Sequence, residues 1–188
     1  MPGAFPLVGT MAALQEEHFQ GADMPTIDPS LRAGKVTKWG EWVKSKPLVV
    51  NGVESRWRIL GKYDLVATNE DGTIGLIDCK VSDSQRDSGQ FYSPQLEAYA
   101  YALENPAAGK AQSVASMGLL VWRPTTAIGS NADEYGFGVT QKYVPVERDQ
   151  DNFLKVIGEF IDVLEGDLPD AGSECQTCMY LTARNALD

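Results

Sequence analysis

Four side chains of this 188-residue chain, Asp64, Asp78, Lys80 and Gln95, have the types and spacing to share one reaction. Leu65-Val66-Ala67 and Ile74-Gly75-Leu76-Ile77 are apolar runs of strand length, and Asn69-Glu70-Asp71-Gly72 between them is dense in turn residues. A three-residue loop, Glu70-Asp71-Gly72, with glycine at the position of positive φ, puts residues whose numbers sum to 142 opposite one another. Asp64 then faces Asp78. Alternation along the strand sends Asp78 and Lys80 to one side and Ile77 and Cys79 to the other. Two carboxylates so placed repel and raise one another's pKa unless a cation compensates. Magnesium and manganese prefer such hard oxygen ligands, and a divalent ion held there would support hydrolysis of a phosphodiester. The blander reading of Asp-x-Lys alone is a strand-end salt bridge of little value.

Downstream, Ser93 as N-cap and Pro94 at the first helical position open a predicted helix. Gln95 and Tyr99, four apart, share one face of it, and Leu96, Ala100 and Leu103 form a neighbouring stripe that can pack on the sheet. A surface amide and a core ring are the ordinary alternatives for Gln95 and Tyr99. The polar stretch from Ser82 to Tyr92 links strand to helix and must border the site, as a lid or as a solvent loop.

From Gly61 to Tyr99 the chain resembles the PD-(D/E)XK nuclease superfamily, and within it the RecB-like exonuclease branch, which includes phage and repair exonucleases. The resemblance implies a restriction-endonuclease-like α/β core, with a central mixed β-sheet flanked by helices. It implies that Asp64 and Asp78 bind Mg²⁺ or Mn²⁺ with the backbone carbonyl of Cys79. Lys80 would be the catalytic lysine, with Gln95 and Tyr99 as the Gln-x-x-x-Tyr motif. The branch also carries a metal-reaching histidine in an N-terminal helix. His18 is the chain's one histidine, but the family spacing would put it at Ala13, so a surface histidine is the competing reading. DNA is the implied substrate, and a helicase or recombination protein is the kind of partner the branch uses. The segment Glu165 to Tyr180, with Cys175 and Cys178, resembles the cysteine region of iron–sulfur members. Those members need four cysteines, and the chain has three in all, so ligand count argues against a cluster.

The positioning elements follow in order. Residues 9–18 suit a short helix with Thr10 as N-cap, within a poorly defined N-terminal segment of residues 1–30. Ala22 to Arg32 reads as a loop. Val36, Trp39, Trp42 and Val43 recur at spacings of three and four, which predicts an amphipathic helix over 36–45 with its tryptophans in the core rather than serving as a base-stacking platform. Leu48-Val49-Val50, Asn51-Gly52 and Val53 predict a hairpin opening the sheet. Val114 to Trp122 and Gly138 to Val146 read as strands separated by a loop over 124–136. Asp151 to Glu165 is a helix with a clear apolar stripe, and residues 167–188 form a C-terminal tail.

The whole is expected to be one domain, residues 1–188, long enough to bury a sizeable core. No window approaches a membrane span, the N-terminus lacks a signal-peptide pattern, and cysteine usage suits a reducing cytoplasm. The formal charge of −10 speaks against a nucleic-acid binder. Between Leu31 and Lys62, however, eight cations face only Glu41 and Glu54. Of these, Arg56 and Arg58, which lead into the Asp64 strand, are the better candidates for phosphate contacts. Two alternatives stay open: a nuclease-fold protein that binds nucleic acid or a protein partner without cutting, and a structural α/β protein with a salt-bridged cluster.

Overall fold

The computed structural model describes residues 6–82, 89–131, 134–167 and 169–186. In chain order the elements are α1 (Pro6–His18), α2 (Met24–Ile27), β1 (Gly34–Trp39), β2 (Trp42–Lys44), β3 (Val49–Val50), β4 (Val53–Glu54), β5 (Leu60–Lys62), β6 (Leu65–Asn69), β7 (Ile74–Val81), α3 (Gly89–Glu104), β8 (Val114–Asn131), β9 (Glu134–Val146), α4 (Gln150–Glu165) and α5 (Gln176–Asn185). Five strands form the central mixed sheet in the order β1-β6-β7-β8-β9. Every neighbouring pair is antiparallel except β7 and β8, whose parallel pairing requires the crossover that α3 supplies.

The β6–β7 hairpin has the expected register, with Leu65 opposite Ile77 and Val66 opposite Leu76. Its loop is the expected one too, closed by Gly72 at φ +81°. Alternation divides the core between the two faces. Val66, Ile74, Leu76 and Leu119 pack beneath Leu96, Ala100 and Leu103 of α3. Leu65, Ala67, Ile77, Cys79 and Leu120 face the other way, against Phe19, Met24, Ile27 and Leu31. Asp78 and Lys80 continue the row of Ile74 and Leu76, so they emerge on the α3 side.

Several expected elements differ. Residues 36–45 form no helix. The chain runs as β1, turns at Gly40 with φ +58°, and returns as β2, which pairs with β5 in a separate ribbon. The tryptophans are correspondingly not core, Trp42 being 71 % exposed and Trp39 39 %. The β3–β4 hairpin forms through Asn51 (φ 52°) and Gly52 (φ 77°), as its Asn-Gly turn dictates, but stands outside the central sheet. Residues 124–136 are largely not a loop: β8 and β9 continue as a long ribbon, with Thr126 opposite Gly138 and Ile128 opposite Gly136. Pro124 is accommodated beside a register shift, where a missing N–H costs little. The segment 22–32 contains the single turn α2, begun at Met24-Pro25. Helix α1 starts at Pro6, which leaves Thr10 inside it, and α3 starts at Gly89, which leaves Ser93 and Pro94 inside it. The amide missing at Pro94 would have bonded the carbonyl of Gln90, an exposed residue that water can satisfy.

A charged network ties α3 to the start of α4. Arg148 donates through Nε to both carboxylate oxygens of Glu97 at 3.1 Å, through its terminal nitrogens to Glu104 at 3.0 Å, and to the carbonyl of Val114 at 3.0 Å. The backbone N–H of Asp149 also donates to Glu97, which is only 1 % exposed. Removing Arg148 would strand a buried carboxylate. Arg148→Ala is therefore expected to cost about 3 kcal/mol of stability, measured by urea unfolding, whereas truncation of the exposed Arg32, paired with Asp71 at the surface, should change little.

Candidate active site

At Asp64 the chain leaves the main sheet for the β2–β5 ribbon. Gly40 N–H donates to the carbonyl of Asp64 at 2.8 Å, and Tyr63 N–H to the carbonyl of Glu41 at 3.2 Å. With β6 gone, the amide of Cys79 has no strand partner on that side. The Asp64 carboxylate takes the vacated place, its Oδ2 accepting from Cys79 N–H at 2.7 Å. This fixes the Asp64 carboxyl beside that of Asp78, within hydrogen-bonding reach of it.

Asp78 is 2 % exposed. Lys80 Nζ lies 2.5 Å from its Oδ2 as a close, largely buried ion pair. Its Oδ1 accepts from Gln95 Nε2 at 3.1 Å, and the same amide donates to the Tyr99 hydroxyl at 3.0 Å. The Lys80 ammonium also sits 4.6 Å from the centre of the Tyr92 ring. An added Cβ on Gly61 would stand 2.5 Å from Cε1 of Tyr99, so only glycine lets the β5 backbone lie against this ring.

Burial raises the pKa of Asp64 first, and the charge of Asp78 adds to it; the Cys79 amide pulls the other way, leaving Asp64 at about 7. Asp78 is also raised by burial, against the opposing effects of Lys80 and Asp64. For Lys80, burial favours the neutral form, but the charge of Asp78 and its contact outweigh burial, and the ammonium is held above its usual range. The Cys79 thiol lies on the other face, buried in the cluster that holds Phe19 and the α2 residues Met24 and Ile27, which pushes its pKa up.

One contributor has no counterpart in the motif reading. Gln15, fully buried, donates to the carbonyl of Leu120 at 2.8 Å and fixes α1 against the sheet next to the acidic pair. The following residue, Glu16, has its pKa raised by burial, and it feels Lys62 and Asp78 in turn. The face Ala12, Gln15, Glu16 and Phe19 at helical spacing was the available signal. His18, by contrast, is exposed and packs its ring on Phe19 (4.8 Å between centroids) and Trp122 (5.8 Å). Arg56 pairs with Glu165 at 2.8 Å and lies over Trp57, while Arg58 donates to the carbonyl of Ser45 at 3.3 Å. Thus Asp64, Asp78, Lys80, Gln95 and Tyr99 come together, and His18, Arg56 and Arg58 make their contacts elsewhere. The stretch 83–88, expected to border the site, lies outside the described residues. Cys175 and Cys178 open α5 with their sulfurs 3.1 Å apart.

A family profile of the PD-(D/E)XK nuclease superfamily matches residues 11–183, nearly the whole chain and all of these side chains. The chain belongs to this superfamily. Its central mixed sheet flanked by helices is consistent with the restriction-endonuclease-like core of such nucleases. No curated protein matches. Among solved structures, one titled "Crystal structure of SSO0001" aligns with 12 % identity and a TM-score of 0.47 over 94 % of this chain and 67 % of that one, a likeness too loose to bear on function.

Members of the PD-(D/E)XK superfamily generally use divalent metals, and the donor set here fits one. Among the described residues no three His, Cys, Asp or Glu side chains converge as a complete cage. Two carboxylates do converge, the usual protein share of a magnesium site completed by water and substrate phosphate. Burial and the neighbouring charge of Asp78 raise the pKa of Asp64, a cost that a cation held between the two carboxylates would offset. A raised acid pKa in the folded state stabilises the fold at low pH and loses that contribution as pH rises through about 7. In chelator, the melting temperature of the wild type should therefore fall between pH 5 and pH 8. Asp64→Asn, which keeps an acceptor for Cys79 N–H, should flatten the slope, melt higher than wild type at pH 8, and lose the gain on adding Mn²⁺. An unchanged slope in the variant would refute the assignment.

Proposed function

We propose that the chain is a metal-dependent deoxyribonuclease of the RecB-like branch, an exonuclease of recombination, repair or phage DNA processing. The observation that carries this reading is the meeting of two interacting carboxylates with a protonated lysine and an oriented glutamine on one face of the sheet. Asp64 and Asp78, with the main-chain carbonyl of Cys79, would hold Mg²⁺ or Mn²⁺. Such an ion supplies polarisation of the scissile phosphate and a lowered pKa for bound water.

The remaining chemistry belongs to the side chains. Lys80 keeps its protons, because Asp78 holds its pKa up. It is therefore suited to donate to a phosphoryl oxygen on which negative charge develops, rather than to act as a general base. Gln95 spends its amide protons on Asp78 and Tyr99, which leaves its carbonyl oxygen to accept from the attacking water. Tyr99, wedged against Gly61, fixes that amide and borders the path of the DNA.

Digestion of single- and double-stranded DNA with Mn²⁺ tests the proposal. Asp78→Ala should abolish cleavage. Lys80→Ala should reduce it by about 10²–10³-fold, the usual loss for a group that stabilises transition-state charge. Equal cleavage by wild type and both variants would exclude the mechanism. Salt-sensitive DNA binding without any cleavage would assign the chain to a binding role instead.

A further inference from the structure

The β2–β5 ribbon turns one face inward and one outward. Inward go Val43, buried in the core, and Gly61, whose backbone lies against the Tyr99 ring. Outward go Trp42 and Lys44 from β2 and Leu60 and Lys62 from β5. Pairing sets Trp42 opposite Lys62 and Lys44 opposite Leu60, so apolar and cationic side chains alternate diagonally over two strands. Trp42 is 71 % exposed and Leu60 65 %. A large indole open to water on this ribbon, diagonal to the exposed Leu60, is apolar surface that a partner can cover.

The ribbon also abuts the acidic pair. The Gly40–Asp64 backbone hydrogen bond lies two residues before Trp42. An added Cβ on Gly40 would be 3.4 Å from Glu16 Oε2 and 3.5 Å from Lys62 Nζ, which places Lys62 at the rim of the site beside Glu16. Of the other nearby acids, Glu41 accepts from the Tyr63 hydroxyl at 2.7 Å. The patch belongs to the cation-rich part of a chain whose formal charge is −10, so cations are concentrated where the indole is exposed.

From this juxtaposition we infer that the outward face of the β2–β5 ribbon is a platform for single-stranded DNA, with Trp42 stacking on an unpaired base and Lys44 and Lys62 meeting the phosphates on either side. The inference rests on the nuclease reading for its direction, since the platform would deliver a strand to Asp64 and Asp78. An exposed indole flanked by lysines is the chemistry of sequence-tolerant single-strand binding, because every unpaired base offers a stacking face. In a duplex those faces are already covered by neighbouring bases, so the platform discriminates against it.

The test separates binding from cutting. Anisotropy of a fluorescein-labelled oligothymidylate is measured in chelator at low salt, with a labelled duplex in parallel. Hydrolysis of thymidine 5′-p-nitrophenyl phosphate with Mn²⁺, a substrate too short to reach the platform, is measured separately. Trp42→Ala should weaken oligothymidylate binding about tenfold, the loss expected for one stacked base. Trp42→Phe should restore most of that affinity, Lys44→Ala should weaken binding and flatten its salt dependence, and the short ester should be hydrolysed as by wild type. Thermal melting of Trp42→Ala, at an exposed position, verifies that it folds. Unchanged oligothymidylate affinity in Trp42→Ala, no affinity in the wild type, or a loss confined to duplex would each overturn the platform. Trp42-dependent binding with no hydrolysis of either substrate would leave the platform standing and remove the nuclease reading.

Discussion

The mutual repulsion of two neighbouring carboxyl groups, Asp78 buried and Asp64 half-buried, governs how the elements around them are arranged. Asp64 and Asp78 cannot both be charged at neutral pH without help, and the fold supplies that help from several directions. The Cys79 amide stabilises one carboxylate, the Lys80 ammonium the other, and Gln95 bonds the second oxygen of Asp78. Even so, Asp64 stays at about 7. A hard divalent cation, of the kind the superfamily generally uses, would offset the remaining repulsion.

Much of the architecture serves to hold that pair in place. The β6–β7 hairpin sets the two aspartates opposite one another, and the departure of the chain toward β5 frees the amide that Asp64 caps. Helix α3 presents Gln95 and Tyr99 toward the site. Through Glu97 and Glu104, it is clamped by Arg148. Positioning of the glutamine is thus linked to the junction of β9 and α4, and to a glycine, Gly61, whose missing side chain makes room for Tyr99.

How legible this was in the sequence depended on whether the deciding interactions were local. The hairpin register follows from Gly72 and a period of two, and α4 from a 3.6-residue stripe, both contained within a few residues. Segment 36–45 misled because Val36, Trp39, Trp42 and Val43 mimic a helical stripe, while the positive φ at Gly40 and the pairing of β2 with β5 are set by tertiary contacts. The β8–β9 ribbon was hidden by Pro124 and by Gly129, Ser130 and Asn131, around which the pairing with the opposite strand resumes after register shifts. The convergence of Asp64, Asp78, Lys80 and Gln95 follows from motif spacing and alternation. The approach of Glu16 does not follow from such spacing, because the docking of Gln15 against Leu120 sets which side of α1 is turned to the sheet.

If the carboxylate pair is a cation site, a proton takes the cation's place when none is bound. Calorimetric titration of the chelator-treated protein with Mn²⁺ near pH 6.5, repeated in buffers of different ionisation enthalpy, measures both binding and proton release. Saturable binding that expels about one proton per site is expected, as when a metal displaces the proton of a ligand, with loss of both signals in Asp78→Asn. Binding without proton release, or binding that survives in Asp78→Asn, would contradict a cation site there.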